Sequence, residues 1–374
     1  MVAAGGGYTA LLRSDGTAVA FGANHGGQCN APALDGGLNY MQVVAGSAYT
    51  ALLRSDGTAV AFGRNGLGQC NVPALDGGLS YTQVAAGNYH TALLRSDGTA
   101  VAFGRNDLGQ CIVPALDGGL SYTQVAAGGE HTALLRSDGT AVAFGLNRSG
   151  QCNAPALDGG LSYTQVAAGS AHTALLRSDG TAVAFGANDF CQCSVPALDG
   201  GLSYTQVAAG GDHTALLKSD GTAVAFGGNR SGQCNVPALD GGLSYTQVAA
   251  GGVHTALLRS DGTAVALGLN LAGQCNVPPL DSGLTYTARL LVGATLLLQA
   301  SLDGGAVRFL TLGGVERCRV RAAPGAPLAG VRDWLAGELG AGRLGPGLGR
   351  ADAALPGGRL LSGASAGETV ADAF

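Results

Sequence analysis

The sequence predicts an all-β protein in which seven copies of one small sheet form a closed or stacked array. A 41-residue unit is repeated seven times without a gap over residues 1–287. The chain also contains 65 glycines and only 12% charged residues, a composition that favours short strands and tight turns. A repeat period of this size is typical of an array and not of an ordinary globular domain. The aspartate of a Ser-Asp-Gly tripeptide marks the period at Asp15, Asp56, Asp97, Asp138, Asp179, Asp220 and Asp261.

The copy at residues 204–242 shows how one unit forms its sheet. Its three candidate strands are the runs 204–210, 213–219 and 222–227. Asp220 and Gly221, between the second and third runs, predict a two-residue type I′ hairpin turn. A short fourth strand is expected at the outer side of the sheet, near residues 233–236.

The third run of each copy, Ala-Val-Ala-Phe in most of them, does not alternate apolar and polar residues. Both faces of this strand are therefore expected to be buried, each sheet lying between two copies of itself. Full burial of the phenylalanine would stabilise each interface by roughly 1.5–3 kcal/mol. Radial closure of such an array leaves only short, protected edges.

Charge and composition exclude several classes of function. A formal net charge of −5 argues against nucleic acid or an anionic membrane surface as a partner, since both attract basic proteins. No apolar run approaches the ~20 residues of a membrane-spanning helix. Residues 1–5 start inside the first copy and show no secretory signal, so we expect a cytoplasmic or nuclear protein.

The cysteines and histidines follow the repeat, which indicates structural roles. Equivalent positions of neighbouring copies cannot all form disulfides, so the repeated cysteine is expected to be a small buried apolar residue. Cys191 and Cys193 form C-x-C, which lacks the C-x-x-C spacing of redox or zinc sites. The repeated cysteines are Cys29, Cys70, Cys111, Cys152, Cys193, Cys234 and Cys275, and the repeated histidines are His90, His131, His172, His213 and His254.

A metal site at the histidines conflicts with the expected geometry. Sheets packed face to face lie ~10 Å apart, whereas zinc requires nitrogen ligands ~2.0–2.1 Å from one ion. We therefore expect each histidine to pair with a threonine, without metal or other cofactor. The Ser-Asp-Gly aspartates have no partner base and no cleft, so the sequence indicates a binding module and not an enzyme.

The order Gly-x-x-His-Thr-Ala-Leu, Asp-Gly, Phe-Gly-x-Asn-x-x-Gly-Gln-Cys resembles the repeat of the RCC1 (regulator of chromosome condensation) family over residues 1–287. This resemblance implies a seven-bladed β-propeller. Three features depart from the family pattern. Phenylalanine stands where tryptophan is common, cysteine follows Gly-Gln in place of leucine, and Tyr8 and Tyr49 replace the histidine in the first two copies.

Activities known in the family can be tested against the residues present. Nucleotide exchange on the small GTPase Ran is attributed to a wedge-like insertion, and the unbroken 41-residue step leaves no room for one. Ultraviolet sensing uses a tryptophan cluster, whereas the only tryptophan here, Trp334, lies outside the repeats. The 87 residues after the repeats are too few for a HECT ubiquitin-ligase domain. A non-catalytic protein-binding scaffold or adaptor is favoured, with exchange on a small GTPase as the alternative.

Differences between the copies concentrate in two places, after the first strand and around the asparagine that follows the third. Both places fall at the same end of an up-down-up sheet, so we expect one variable face that binds a protein partner. We expect the chain itself to be a monomer. Arginine beside exposed leucine or phenylalanine is typical of protein interfaces, while drift at tolerant loop tips is the alternative. The candidate partner-binding residues are Arg64, Leu67, Tyr89, Arg105, Asp107, Leu108, Glu130, Arg148, Asp189, Phe190, Asp212, Arg230 and Leu271.

Residues 288–374 do not keep the repeat. Runs 308–312 and 317–321 predict a hairpin, and the apolar spacing over 327–339 predicts a helix. With the later runs 355–361 and 368–374, the order of these segments resembles an incomplete ubiquitin-like β-grasp domain. This resemblance implies a link to ubiquitin-pathway components. A degenerate eighth repeat with a Gly-, Ala- and Pro-rich tail is the alternative.

Overall fold

A computed structural model describes residues 1–34 and 36–287 and, for backbone only, strands within 298–321 and at 353–354. The chain divides into two compact units, Met1–Leu291 and Val292–Phe374. The boundary expected from the repeats lies at residues 287 and 288.

The first unit contains seven antiparallel sheets of three strands each, numbered here as blades 1 to 7. Within each blade the strand order follows the chain. The strands are Val2–Ala4, Tyr8–Leu12 and Ala18–Gly22 (β1–β3); Tyr40–Ala45, Tyr49–Arg54 and Ala59–Gly63 (β4–β6); Tyr81–Ala86, His90–Arg95 and Ala100–Gly104 (β7–β9); Tyr122–Ala127, His131–Arg136 and Ala141–Gly145 (β10–β12); Tyr163–Ala168, His172–Arg177 and Ala182–Gly186 (β13–β15); Tyr204–Ala209, His213–Lys218 and Ala223–Gly227 (β16–β18); Tyr245–Ala250, His254–Arg259 and Ala264–Gly268 (β19–β21).

The prediction of a fourth strand is wrong, because the expected segment folds into a tight turn. In blade 6 the Asn229 side-chain oxygen accepts the Cys234 amide at 2.9 Å. The Asn229 side-chain nitrogen donates to the Asn235 side chain at 2.8 Å. Backbone bonds from Asn235 to Gly232 and from Val236 to Cys234 complete the turn. Local bonds of this kind use the backbone groups that a strand would need for pairing.

The type I′ turn is also wrong, and the reason lies in the aspartate side chain. In blade 6 the Lys218 amide donates to the Thr222 carbonyl, which leaves a three-residue Ser-Asp-Gly loop. Only Gly221 has a positive φ, at 81°, whereas a type I′ turn needs two such residues. Asp220 accepts the Thr222 amide at 2.9 Å and its hydroxyl at 2.7 Å, so the carboxylate holds the turn.

The middle strand of each blade carries the core. Residues 213–217 of β17 are all buried. Between blades 6 and 7, Ala215, Leu217, Tyr245 and Leu257 belong to one buried cluster. The third strand is only half-buried along its length, contrary to the expected burial of both faces. It forms the outer edge of a three-stranded sheet, so its phenylalanine contributes less than a fully buried side chain would.

The array closes into a ring through both ends of the repeat region. Tyr286 forms an antiparallel bridge with Arg13. The Thr287 amide donates to the Leu12 carbonyl at 3.1 Å, and the Gly252 amide donates to the Gly5 carbonyl at 3.0 Å. Blade 1 therefore takes part of its first strand from the start of the array and part from its end. The ring needs no eighth copy.

The second unit contains a four-stranded sheet with strands Leu298–Asp303 (β22), Ala306–Leu310 (β23), Glu316–Arg321 (β24) and Ala353–Ala354 (β25). Its order is β24-β23-β22-β25, with β22 and β25 parallel. The antiparallel pairing of β23 with β24 confirms the predicted hairpin. The predicted helix over 327–339 lies outside the described residues, and the ubiquitin-like domain stays a prediction. Within the described part of the chain, no helix is long and apolar enough to span a bilayer.

Candidate functional site

Two loops of each blade meet at one end of the ring. The inner loop joins the first two strands, and the outer loop follows the third. The Arg64 amide donates to the Ala48 carbonyl at 2.9 Å, and Arg105 bonds to Tyr89 in the same way. We define the variable face as inner loops 5–7, 46–48, 87–89, 128–130, 169–171, 210–212 and 251–253 with outer loops 23–27, 64–68, 105–109, 146–150, 187–191, 228–232 and 269–273.

The outer loop has fixed ends and a free tip. In blade 2 the Asn65 side-chain oxygen accepts the Cys70 amide at 2.9 Å. Gln69 is buried, and its side-chain oxygen accepts the Leu67 amide at 2.9 Å. Gly68 turns the chain with a φ of 79°. The asparagine and the glutamine recur in every copy and the glycine in all but blade 5, which has Cys191, so the two residues after the asparagine can change without disturbing the blade.

All thirteen candidate residues lie on the variable face, and none of them is buried. Leu271 is 90% exposed and Leu67 is 49% exposed. The half-buried members are Tyr89, Arg105, Leu108 and Glu130, and the exposed members are Arg64, Leu67, Asp107, Arg148, Asp189, Phe190, Asp212, Arg230 and Leu271.

Arg105 already has partners within the protein. Its Nε lies 2.6 Å from Asp107 Oδ1, and its Nη1 lies 2.6 Å from Glu130 Oε1 in the next blade. The guanidinium also lies 5.7 Å from the centre of the Tyr89 ring. The hydrogen bond from Arg105 holds the pKa of the Asp107 carboxyl below its usual range. Arg105 is therefore part of a linked surface cluster and is not a free cation.

A second contact between blades joins two other candidates. The Arg230 guanidinium of blade 6 lies 5.4 Å from the centre of the Phe190 ring of blade 5, within cation–π range. Unlike Arg105, Arg64 and Arg148 form no ion pair among the described residues.

Ile112 is an exposed apolar residue that is not among the candidates predicted from differences between the copies. It is 64% exposed and follows the repeated cysteine. Most other copies have asparagine there, so an isoleucine among asparagines was the signal.

A central cavity of about 80 Å³ lies at the ring axis, lined by the Ala-Gly segment that ends the first strand of each blade and the residue after it. Backbone bonds link adjacent blades around it, such as Gly129 to Gly169 at 3.0 Å. A Cβ on Gly128 would lie 2.5 Å from the Gly169 oxygen, which explains the glycine. The lining residues other than alanine and glycine are Ser47, Asn88 and Ser170.

The repeated histidine pairs with a threonine of the next blade. His90 Nε2 lies 2.8 Å from Thr132 Oγ1, and that hydroxyl donates to the Gln110 carbonyl at 2.7 Å. Because the carbonyl can only accept, the histidine must donate from Nε2, and its Nδ1 has no partner. Burial lowers the pKa of His90 to about 4. The predicted His-Thr pair is confirmed as a link between blades.

The repeated cysteines also have a structural contact. In blade 3 the Cys111 thiol donates to the Arg105 carbonyl at 3.2 Å, and burial raises the pKa of this thiol to about 11. They are half-buried, so the expectation of full burial is wrong. A thiol with a raised pKa is a poor nucleophile at neutral pH.

Four copies, at residues 81–110, 122–151, 163–192 and 204–233, match the regulator of chromosome condensation (RCC1) repeat. None of the curated proteins compared matches the chain.

Solved propellers share the fold at low identity. Human WBSCR16 is 19% identical, with a TM-score of 0.58 over 67% of this chain and 84% of its own. Prp20p of Saccharomyces cerevisiae is 19% identical, with a TM-score of 0.57 over 67% and 80%. The CRINKLY WD40 ectodomain of the Arabidopsis thaliana receptor kinase ACR4 is 21% identical, with a TM-score of 0.57 over 75% and 97%. These similarities support an RCC1-like propeller fold.

Proposed function

We propose that this protein is a non-catalytic scaffold that binds a protein partner through the variable face. The observation that carries the proposal is the separation between a repeated framework and the variable face. The asparagine and glutamine anchors of the outer loop recur in every blade, whereas the exposed tip residues differ between blades. Loops positioned by a rigid scaffold are where binding residues concentrate.

The composition of the face supports a protein partner. Arginine, tyrosine and phenylalanine side chains are enriched in protein interfaces, and the face exposes Arg64, Arg148 and Phe190. Prp20p, a propeller of similar fold, has described binding properties to Gsp1p and histones, both of which are proteins.

Charge reversal on the face tests the proposal. We expect the full chain, used as bait in cell lysate with detection by mass spectrometry, to lose its partner when Arg64, Arg148 and Arg230 are all replaced by glutamate. The control is A156E/A197E/A238E, at three exposed alanines of one repeat position outside the variable face. Unchanged capture by the arginine variant would exclude the face.

Nucleotide exchange on a small GTPase is the second candidate, since Prp20p has described binding to Gsp1p. Against it, the outer loops have equal lengths in all seven blades and leave no insertion to act as a wedge. A nucleotide-release assay with a panel of small GTPases separates the two functions. Catalysed release would replace the scaffold proposal.

Two further parts of the proposal concern context. The segment after the propeller would connect a bound partner to ubiquitin ligase machinery, on the basis of its resemblance to a β-grasp domain. Cytoplasmic or nuclear localisation fits the free thiols of the described cysteines, since free cysteines persist in reducing compartments.

A further inference from the structure

We infer that one half of the variable face, formed by blades 7, 1 and 2, binds a peptide segment that combines apolar side chains with a carboxylate. We call this the seam half, and define it as inner loops 251–253, 5–7 and 46–48 with outer loops 269–273, 23–27 and 64–68. The inference rests on the proposed function and names the chemistry of its partner.

The loop tips divide the variable face into two halves. The residue after the loop asparagine is exposed in every blade. Blades 3 to 6 alternate in sign at this position, whereas blades 7, 1 and 2 carry no Asp, Glu, Lys or Arg there. In blade order the tip residues are His25, Gly66, Asp107, Arg148, Asp189, Arg230 and Leu271.

The seam half exposes apolar surface and contains no acidic residue in its loops. Leu271 is 90% exposed, and in the same blade the Leu269 amide bonds to the Val253 carbonyl at 3.0 Å. Leu67, 49% exposed, lies in blade 2. Single exposed leucines are normal, so these two support an interaction site together with the charge pattern of the same loops.

Arg64 supplies the charge that selects the partner. It occupies the same repeat position as Arg105, which bonds to Asp107 in its own loop and to Glu130 in the next blade. The repeat positions of Asp107 and Glu130 are occupied, next to Arg64, by Gly66 and Tyr89, which are uncharged. Blade 3 therefore shows the carboxylate contacts that this position can make. A carboxylate on the partner would provide for Arg64 what the protein itself provides for Arg105.

Two other occupants fit the seam half less well. A second copy of this chain would bring Arg64 towards a surface without a carboxylate, because a two-fold interface uses the same patch on both subunits. A nucleic acid strand needs several cations along its backbone, and Arg64 is the only lysine or arginine in these loops.

The test is selection of a displayed random 12-residue peptide library on the full-length protein, followed by fluorescence anisotropy with the enriched peptides. We expect these peptides to combine leucine or phenylalanine with aspartate or glutamate. R64E and L271D should each weaken binding at least tenfold. The A156E/A197E/A238E control should change it less than twofold.

Gly66→Asp is the decisive variant, since it copies the Arg105–Asp107 arrangement of blade 3 into blade 2. Gly66 has no neighbour within 4 Å of an added Cβ and does not have a positive φ, so the variant should fold. We expect it to weaken peptide binding at least tenfold by occupying Arg64.

Three outcomes would overturn the inference. These are enrichment of basic or uncharged peptides, peptides whose binding survives both R64E and G66D, and no enrichment at all. Peptides that bind blades 3 to 6 and not the seam half would overturn the inference but leave the scaffold proposal standing. The scaffold proposal does not require R64E, L271D or G66D alone to abolish capture from lysate, so the two proposals can fail separately.

Discussion

One side-chain position in each blade shows how different residues can make the same link to the next blade. His131 Nε2 lies 2.8 Å from the Thr173 hydroxyl of the following blade. At the equivalent position of blade 2, the Tyr49 hydroxyl donates to the His90 carbonyl at 2.5 Å and lies 2.9 Å from the Thr91 hydroxyl. The position requires a ring that carries a donor at its far end. It does not require a metal ligand.

The buried histidines predict loss of stability in mild acid. Burial lowers the pKa of all five to about 4, while an unfolded histidine titrates near 6.5. The unfolded chain therefore binds protons first as the pH falls, and stability present above pH ~6.5 is lost towards pH ~4. Each histidine costs about 3 kcal/mol at that limit, so five together reach the upper end of a typical total stability of roughly 5–15 kcal/mol.

Urea unfolding between pH 8 and pH 4 measures this effect, and we expect the ring to unfold above pH 4. Hydrogen bonds from the threonine two residues later hold the carboxyl pKa below the ordinary 3.8 in five turn aspartates, which therefore titrate mostly below this pH range. These are Asp97, Asp138, Asp179, Asp220 and Asp261. A free energy of unfolding that stays constant from pH 7 to pH 4.5 would contradict the prediction.

His131→Tyr should reduce this acid sensitivity, since blades 1 and 2 already use tyrosine at the equivalent position. We expect the stability of the variant at pH 7.5 to stay within about 1 kcal/mol of the parent, with a shallower fall below pH 6.5. His131→Ala should lose about 3 kcal/mol through the cavity and the lost bond to the Thr173 hydroxyl, which keeps its own bond to the Gln151 carbonyl. Equal losses in both variants would show that tyrosine cannot replace histidine in the link between these blades.

Cys191 is the only described residue other than glycine with a positive φ, at 65°. The other six copies have glycine at this position, with φ values such as 81° at Gly232. A side chain in this conformation costs about 1 kcal/mol. Cys191→Gly should therefore raise the free energy of unfolding by about that amount in urea titrations. A decrease would mean that the Cys191 side chain makes a stabilising contact.

At the scale of single elements, Asn and Asp side chains determine the loops. Asn229 closes the outer loop of blade 6 by accepting the Cys234 amide, and Asp220 closes its hairpin through Thr222. The sequence places the hairpin and the variable loop tip correctly, but it gives the hairpin the wrong turn type and predicts a strand where the outer loop ends. The reason is that a side chain bonding to its own backbone competes with pairing between strands.

Asp138→Ala should destabilise the blade 4 hairpin by about 1 kcal/mol, the usual value of a lost hydrogen bond. The Asp138 carboxylate accepts the Thr140 amide at 2.9 Å and its hydroxyl at 2.7 Å. Asp138→Asn keeps an acceptor oxygen and should lose less in the same urea titration. If both variants lose equal stability, the charge of Asp138 matters more than its geometry.

At the scale of the whole molecule, the ring depends on one composite blade. Tyr286 is 2% exposed, donates to the Pro278 carbonyl at 3.0 Å and bridges to Arg13. Tyr286 occupies the same repeat position as Tyr163 of blade 5. Unlike Tyr163, it lies far along the chain from the strand that it completes.

Tyr286→Ala should open the seam between blades 7 and 1, with a loss of about 3 kcal/mol for the large buried side chain. We expect faster amide hydrogen exchange at residues 2–12 and 246–258, while blades 3 to 5 keep their protection. Tyr163→Ala is the matched control, because it removes the same contact inside the continuous array. An even rise of amide hydrogen exchange around the ring would contradict a local role for Tyr286 in closing it.

The sequence by itself determined the number of copies, the three strands of each and the end at which the variable loops meet. The 41-residue period and the up-down-up order of strands are local properties of the repeat. The tertiary structure decided how the ring closes and which charges are already satisfied. Arg105 meets Glu130 across a blade boundary, and Tyr286 meets Arg13 across the whole array. Contacts between distant residues depend on the curvature of the assembled blades, which no single repeat encodes.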